Sequence, residues 1–446
     1  MRMRFFHQGI LLPILERLRA RPLPVILFTV FVDLIGYGIV LPIEPLLLAD
    51  PSSKYYLIPQ GLTVSDGYII LGLLIGTYSI AQFLATPIIG QASDQRGRKG
   101  LLLFSLAGIG FSYLMFVAGI SLRSIPLLFV ARIIMGVTGG DVAIVQAATA
   151  DISKPEDRVK NFALVGAAFG LGFVIGPVLG GILSDSTLIG WFDATTPFWF
   201  AAGLSTANIV SVYILFPETL KTLKGGARIV LRRALLDIIH AFSIGELKIL
   251  YASVLLFYAG FAFFATFASV FLINKFGFTQ TGIGVFFALV GAWITISQVF
   301  VTGRLSRRLT EYQVLKFSLL SMGVLLLLFN IPTQGWELYV LVPFFSTLIG
   351  LAFANSVSIV SRSVGPDIQG EVLGINASVR SLGMGIPPLL SGFIAAGLTP
   401  ETPIVVSGAV TLLAGIVFVV FYKPTPDQRS MKERKAMTNK PEVNVA

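Results

Sequence analysis

Residues 90–100 read GQASDQRGRKG and lie between two long apolar runs, residues 70–89 and 101–120. One acid and three bases therefore stand close together in a chain that is 55% hydrophobic and only 13% charged. Soluble proteins carry about 25% charged residues, so this composition is not that of a soluble domain. Apolar runs of about 20 residues, long enough to cross a bilayer as a helix, recur along the chain. The sequence predicts an all-α membrane protein.

Twelve such runs are predicted as transmembrane helices, called spans one to twelve in chain order. They cover residues 24–46, 67–90, 100–119, 126–149, 161–184, 197–216, 249–272, 280–303, 313–331, 337–360, 370–397 and 403–422. The chain then divides into an amino-terminal segment, a six-helix half, a linker, a second six-helix half and a polar tail that is expected to be disordered. These parts are residues 1–23, 24–216, 217–248, 249–422 and 423–446.

The basic residues indicate the orientation of the spans. If the amino terminus is cytoplasmic, 28 of the 33 Lys and Arg residues fall on the inner side, counting Lys316 at the start of span nine. The positive-inside rule then places both termini in the cytoplasm. The net charge of +10 comes from Lys and Arg residues on the inner side, where lipid headgroups are anionic. This charge therefore implies no nucleic-acid partner. We expect a monomeric, multi-pass protein of the cell membrane that contacts lipids.

The charged loop has a specific spacing of acid, bases and glycines. It resembles the signature loop of the major facilitator superfamily, G-x-x-x-D-x-x-G-R-[KR], at Gly90, Asp94, Gly97, Arg98 and Lys99. The resemblance implies that Asp94 lies near the amino-terminal end of span eleven, where the helix dipole favours a carboxylate. It also implies that Arg98 reaches Asp151 at the inner end of span four. A solvated positive-inside loop would leave this spacing to coincidence.

An internal repeat supports the resemblance. The segment GQAS at 90–93 is echoed by GRLS at 303–306, and residues 155–181 align with residues 366–392. In the longer pair Pro155, Gly172, Pro177 and Gly181 stand opposite Pro366, Gly383, Pro388 and Gly392. The repeat predicts two parallel six-helix halves, as transporters of this superfamily have. Arg307 stands where the second loop would need the counterpart of Asp94, so only the first half carries the acid.

Further motifs are similar to those of the twelve-span drug–proton antiporters, a group that includes the tetracycline exporters. Span five contains GLGFVIGPVLGG, which matches the antiporter motif at Gly172, Gly176, Pro177, Gly180 and Gly181. Close helix packing alone would also explain Gly172, Gly176 and Gly180, because small residues four apart let backbones approach. ARIIMGVTGG in span four and VDLIGYGIVLPIEP in span one match two more motifs.

Few ionisable residues lie within the spans, and such residues are costly in a membrane unless they have a function. Asp33 is in span one, where it is the expected proton carrier, with a helix-capping or packing role within the amino-terminal half as the alternative. The resemblance implies that Arg132 in span four tunes proton transfer. On a continuous helix Asp141 would lie about 180° from Arg132, as a second protonatable group or a packing residue. Glu44 is expected to be a water-exposed carboxylate at the outer end.

The cargo cavity is expected to be apolar and aromatic, since span seven is rich in Phe. Polar groups within apolar spans are the preferred contacts with cargo. These are Tyr37, Gln82, Gln146, Tyr258, Asn355, Asn376 and Arg380. A structural partner for Arg380 is an equal alternative to a contact with cargo.

The resemblance implies a proton-coupled secondary transporter that exports a lipophilic small molecule by alternating access. A cationic cargo is one option. A lipid or glycolipid exporter on the same fold is the alternative. No enzyme is predicted, because the chain has no Cys and its two histidines, His7 and His240, lie far apart. No cofactor or metal is expected. The linker stretch at 227–242 is predicted to lie as an amphipathic helix on the membrane surface, as a tether or a regulatory element.

Overall fold

The protein is represented by a computed structural model, which describes residues 22–154, 157–220, 233–243, 247–305, 307–363, 369–424 and 426–429. Over these ranges the chain is helical and contains no strand. The helices are Leu23–Val40, Glu44–Leu48, Val64–Arg96, Arg98–Ser121, Ile125–Thr138, Asp141–Ile152, Arg158–Leu183, Thr196–Leu215, Arg233–Ser243, Leu247–Phe276, Gln280–Ile296, Gly303–Leu305, Glu311–Leu328, Gly335–Arg362, Gln369–Gly397, Thr402–Phe421 and Pro426–Arg429, with a π-helical turn at Ser297–Thr302.

Twelve helical stretches in the described ranges are long and apolar enough to cross a membrane. They follow the predicted spans in order, which confirms an all-α protein with twelve spans. The charged loop differs most from expectation, because span two continues as helix to Arg96 and span three begins at Arg98. Gly97 joins them with a φ of 96°, a conformation that glycine adopts without a Cβ clash. The loop is therefore a sharp corner between two helices.

Three spans are interrupted. Span one breaks at residues 41–43, where Pro42 lacks the N–H that would continue the helical hydrogen bonds. Span four ends its first helix at Thr138 and restarts at Asp141, with Gly139 and Gly140 at the break. Span eight contains the π-helical turn Ser297–Thr302. Side chains on opposite sides of such a break do not follow one helical wheel.

The first compact unit comprises residues 1–234 and 279–288. Its most extensive helix contact is between spans one and five. Three glycines of span five face carbonyl oxygens of span one, in the pairs Gly172–Phe31, Gly176–Ile35 and Gly180–Ile39. A Cβ at Gly176 would lie 2.6 Å from the carbonyl oxygen of Ile35, so only glycine permits this approach. The row explains the antiporter-type glycines by backbone packing.

The second compact unit comprises residues 235–278 and 289–446, and span seven packs in it against spans eleven and twelve. Gly383 of span eleven takes the place that Gly172 takes in span five. A Cβ at Gly383 would lie 2.8 Å from the carbonyl oxygen of Leu255 in span seven. Ser407 of span twelve donates a 2.6 Å hydrogen bond to the carbonyl oxygen of Gly260. The two units thus repeat one packing scheme, in which a glycine of the fifth helix meets the first.

Several predicted segments lie outside the described residues, namely 1–21, 221–232, 244–246 and 430–446. Pro155 and Pro366 of the repeat lie outside them as well. Within the predicted linker a helix runs from Arg233 to Ser243, and its Leu236, Ile239 and Phe242 side chains are exposed. Its location on the membrane surface stays a prediction.

Candidate functional site

Two aspartates meet inside the first unit. Asp33 lies in the first helix of span one and is half-buried, and its carboxyl group adjoins that of Asp141. Asp141 is 2% exposed and begins the second helix of span four, where its Oδ1 accepts a 3.0 Å hydrogen bond from the Val142 N–H. Its buried Oδ2 has no hydrogen-bond partner among the described residues. A proton on Asp33 would supply the donor that this oxygen lacks.

Arg132 forms a buried ion pair with Glu44. Its Nε and Nη2 lie 2.8 and 2.5 Å from Glu44 Oε1, and the two side chains are 5% and 3% exposed. The guanidinium also lies 5.3 Å from the ring centroids of both Tyr78 and Phe116. The expectation that Glu44 is water-exposed is therefore wrong. The break at Pro42 starts a short helix, Glu44–Leu48, whose residues are all buried.

The helical-wheel separation of Arg132 from Asp141 does not apply to the interrupted span. Both residues lie close enough to Tyr78 and Tyr113 to interact with them electrostatically. Gln82 stabilises the break, because its Nε2 donates a 2.9 Å hydrogen bond to the carbonyl oxygen of Gly139. The sequence-predicted proton-coupling residues are thus brought together around two tyrosines.

The other predicted polar residues of the first unit have different surroundings. Tyr37 is half-buried, with ring centroids of Tyr78 and Phe173 at 6.3 and 6.4 Å. Gln146 is exposed on the second helix of span four. Gln82 is engaged at the Gly139 break and is therefore a structural contact as well as a predicted cavity residue.

Arg98 lies at the centre of the turn between spans two and three, residues 90–100, which is called the charged corner below. Its Nη1 lies 2.6 Å from Asp94 Oδ1 and 2.6 Å from Ser93 Oγ, and its Nε lies 3.1 Å from Asp151 Oδ2. The side chain is 7% exposed, whereas that of Asp94 is 34% exposed. Thr219 also donates to Asp151 Oδ2, at 3.3 Å. The expected contact of Asp94 with the first turn of span eleven would join the two compact units, and it stays a prediction.

Glu218, just after span six, is a residue of this corner that the sequence analysis missed. Its carboxylate accepts hydrogen bonds from the backbone N–H groups of Arg98 and Lys99, at 2.9 and 3.2 Å. A Cβ at Gly97 would lie 2.5 Å from Glu218 Oε2, so the glycine makes room for this cap. Lys99 in turn donates through Nζ to the carbonyl oxygen of Tyr213. The sequence signal for Glu218 was that an acid directly follows span six, on the side of the membrane where most Lys and Arg residues are predicted.

The antiporter-type motif ends with a second close contact inside the first unit. A Cβ at Gly181 would lie 2.6 Å from the carbonyl oxygen of Gln280. Beside it, Asp185 Oδ2 accepts a 2.9 Å hydrogen bond from Thr281 Oγ1. Gly90 is less constrained, since its Cβ would meet only the Ala143 side chain at an ordinary 3.6 Å.

The second unit carries the remaining predicted residues. Arg380 is exposed, and its guanidinium lies 5.4 Å from the ring centroid of Tyr258. Tyr258 is 3% exposed and stacks on Phe353, with the ring centroids 5.3 Å apart at 17°. Asn376 is buried, and its Oδ1 has no partner in the described chain. Asn355 is satisfied within its helix, because Nδ2 donates to the carbonyl oxygen of Leu351 at 2.8 Å.

Comparison with known sequences gives several relatives of nearly full length. The sequence profile of the Major Facilitator Superfamily matches residues 26–388 and, separately, 250–444. The class C tetracycline resistance protein of Escherichia coli is 30% identical over 370 residues, which are 82% of this chain and 87% of that protein. The quinolone resistance protein NorA of Staphylococcus aureus (strain COL) is 26% identical over 401 residues, 90% of this chain and 96% of that one.

Solved structures share the fold. A D-xylose–proton symporter aligns with a TM-score of 0.71 at 15% identity, over 90% of this chain and 98% of that one. The human organic anion transporter MFSD10 aligns with a TM-score of 0.65 at 23% identity, over 90% of this chain and 99% of that one. At these identities the likeness concerns the fold alone.

Proposed function

Since the chain belongs to the major facilitator superfamily, we propose that it exports a lipophilic small molecule in exchange for protons carried at Asp33 and Asp141. It is a multi-pass membrane protein and a secondary active transporter, not an enzyme. Proton exchange, these residues and the cytoplasmic position of both termini are our proposal. The observation that carries it is the contact between the two carboxyl groups inside the first unit.

The physical argument begins with charge repulsion. Two adjoining carboxylates in a poorly solvated site cannot both be ionised without a large penalty, so such a pair most readily holds one proton between its oxygens. Arg132 does not neutralise the pair directly, because its guanidinium is bonded to Glu44. A site that holds one proton in one conformation and releases it in another can couple a proton gradient to a conformational cycle.

The cycle that we propose is alternating access by the two six-helix halves. Protons enter from outside, are released inside, and drive the cargo outward. The corner around Arg98 and the glycine row of span five give the first half two rigid contact regions. The relatives are named for resistance to tetracyclines and quinolones, which supports a cargo with a lipophilic ring system.

A lipid or glycolipid exporter is the second candidate, because the second unit carries an apolar groove of about 830 Å³. Spans eight, nine and ten line it with side chains that include Phe317, Val324, Leu328, Phe344 and Leu348. Such a groove fits acyl chains by area burial. Outward movement of a fluorescent phospholipid in proteoliposomes, with no export of ring compounds, would favour this candidate.

The test of proton exchange is uphill export in proteoliposomes with an imposed pH gradient. Asp33→Asn and Asp141→Asn remove one acid each and keep the hydrogen-bonding shape. If the pair works as a unit, both variants lose uphill export and keep downhill movement of cargo. Asp50→Asn, in the loop after span one, is the matched control and should pump normally.

Three outcomes would change the proposal. Normal pumping by Asp141→Asn alone would leave Asp33 as the single proton carrier. Normal pumping by Asp33→Asn with loss in Asp141→Asn would assign the proton to Asp141. Normal pumping by both would show that this pair does not carry the exchanged proton.

A further inference from the structure

Arg380 is a cation within span eleven, and the described residues include no carboxylate that pairs with it. Ion pairs in the described chain involve Arg98, Arg132 and Arg362, and no described carboxylate pairs with Arg380. Its side chain is nevertheless exposed, although it lies within the stretch of span eleven that is apolar enough to cross a membrane. A guanidinium facing hydrocarbon is costly, so this one is expected to face a water-filled space. Asn376, one turn earlier, is a neutral amide and cannot balance the charge.

The surroundings of Arg380 are aromatic. The guanidinium lies 5.4 Å from the ring centroid of Tyr258, which stacks on Phe353. Two further rings meet Phe353, with centroids of Phe257 and Phe261 at 5.4 and 5.3 Å. Tyr258 and Phe257 are buried, whereas Phe353 and Phe261 are half-buried and keep part of their rings accessible. Buried rings thus hold the cation in place, and accessible rings lie beside it.

We propose that Arg380 anchors an acidic group of the cargo, whose aromatic body packs on Phe353 and Phe261. The cargo class is then aromatic organic acids, carboxylates or sulfonates. This inference rests on the proposed export of a lipophilic small molecule and names its class. It replaces the sequence-based option of a cationic cargo, which Arg380 would repel.

The chemistry of arginine favours this assignment. A planar guanidinium can bind a carboxylate or sulfonate through two parallel hydrogen bonds, and these bonds are stronger than neutral ones. The guanidinium contacts both the ring and the hydroxyl of Tyr258, and because arginine has five N–H donors, one bond to the hydroxyl leaves donors for such a ligand. An aromatic ring attached to the acid would reach the accessible rings through van der Waals and offset-stacking contacts.

The test compares three ligands that share a ring system and differ in charge, namely 2-naphthoate, 2-naphthamide and 2-naphthylmethylammonium. Their binding to the purified full-length wild-type chain is measured by calorimetry at one pH, without a gradient. Naphthoate should bind at least tenfold more tightly than naphthamide, and the ammonium should bind most weakly. Equal binding of the three by the wild-type protein would overturn the assignment, whatever the variants do.

Substitutions then locate the anchor. Arg380→Gln should lower naphthoate affinity at least tenfold and leave naphthamide within twofold, while Arg380→Lys should lie between. Arg304→Gln is the matched control, because Arg304 is also exposed and has no acid partner in the described chain. A parallel loss of acid and amide binding in Arg380→Gln would indicate a structural role instead. An equal effect of Arg304→Gln would indicate a general effect of surface charge.

This experiment is separable from the test of proton exchange. Binding is measured at one pH without a gradient, so it does not require uphill transport. A naphthoate preference that requires Arg380, in a protein that fails to pump uphill, would uphold the anchor and overturn the exchange. Uphill export of neutral compounds without any naphthoate preference would do the reverse.

Discussion

The two units treat charge in opposite ways. In the first unit each described charge near the membrane interior contacts another ionisable group, as in Arg132–Glu44 and Asp33–Asp141. In the second, Arg380 has only an aromatic partner, and no described carboxylate neutralises it. The corner loops differ likewise, because Asp94 pairs with Arg98 in the first copy while Arg307 occupies the equivalent position in the second.

This difference suggests that the two units, whose sequences repeat in part, perform different tasks. Paired acids and bases can exchange a proton without leaving a bare charge in the membrane. A cation with aromatic neighbours and no carboxylate partner among the described residues can instead bind an anion from outside the protein. Proton chemistry would then belong to the first unit and recognition of cargo to the second.

The largest expected effect concerns the buried ion pair of the first unit. Glu44→Gln leaves Arg132 buried with an uncompensated charge, and loss of one partner in such a pair destabilises a protein by about 3–5 kcal/mol. Glu311→Gln is the matched change in the second unit, where the Arg362 side chain is 54% exposed. Glu311 itself is 13% exposed, but its exposed partner can be solvated after the substitution, so we expect a loss nearer the roughly 0–1 kcal/mol of surface pairs. Thermal unfolding in detergent measures both.

A double variant checks the cause. Glu44→Gln combined with Arg132→Gln removes both charges and should recover a large part of the lost stability. If the double variant is as unstable as the sum of the single ones, packing rather than charge pairing holds this region together.

The sequence predicted the number of spans, because spans depend on hydrophobicity and length, and the family resemblance predicted the contact of Arg98 with Asp151. It did not predict the pairing of Arg132 with Glu44. That pairing depends on the break at Pro42, which turns Glu44 inward, and a helical wheel cannot represent such a break. Glu218 was missed for another reason, since it reaches Arg98 across 120 positions of sequence.

The next effect compares the two glycines that occupy equivalent positions in the repeat. A Cβ at Gly172 would lie 2.6 Å from the carbonyl oxygen of Phe31, and one at Gly383 would lie 3.0 Å from the Tyr258 Cβ. Gly172→Ala and Gly383→Ala should each destabilise by about 1–3 kcal/mol through overpacking. Only Gly383→Ala should also weaken naphthoate binding, because it displaces Tyr258.

Two other helical glycines provide matched controls for these substitutions. A Cβ at Gly166 or Gly374 would meet nothing within 4 Å. Alanine in these helices should be neutral or stabilising by up to about 1 kcal/mol. If all four alanine variants behave alike in unfolding experiments, the close backbone approach is not what the repeat preserves.

A smaller effect concerns the corner loop. Arg98→Gln removes a buried group that contacts two carboxylates, and it should slow transport about tenfold or more, since hydrogen bonds to charged groups contribute about 1.5–3 kcal/mol. Asp94→Asn removes one partly exposed contact and should slow transport about two- to fivefold. Arg307→Gln, in the second copy, should have no effect. Initial rates at equal amounts of folded protein in the membrane test all three. Wild-type rates for Arg98→Gln would exclude a role in the transport cycle.

The smallest effect concerns the starts of spans six and twelve, which both read Thr-Pro, at Thr196 and Thr402. At span six, Asp193 Oδ1 accepts hydrogen bonds from the backbone N–H groups of Thr195 and Thr196, at 2.8 and 3.0 Å. At span twelve the corresponding contact is between Thr399 and Thr402 hydroxyl groups, 3.0 Å apart, and no carboxylate takes part in it. Acid should therefore weaken the start of span six and spare that of span twelve.

The sign of the pH effect follows from the pKa of Asp193. Partial burial alone would raise that pKa, but the hydrogen bonds from Thr195 and Thr196 outweigh burial and lower it below the ordinary value of 3.8. The stabilisation is therefore complete above the ordinary pKa and is lost as pH falls through the lowered one. Asp193→Asn keeps a capping oxygen and should change stability at pH 7 by only about 0.3–1 kcal/mol, the value of a charge at a helix start. The variant should also lose less stability than the wild type on acidification below about pH 4. An unchanged pH dependence in the variant, measured by thermal unfolding, would assign the acid sensitivity to other carboxylates.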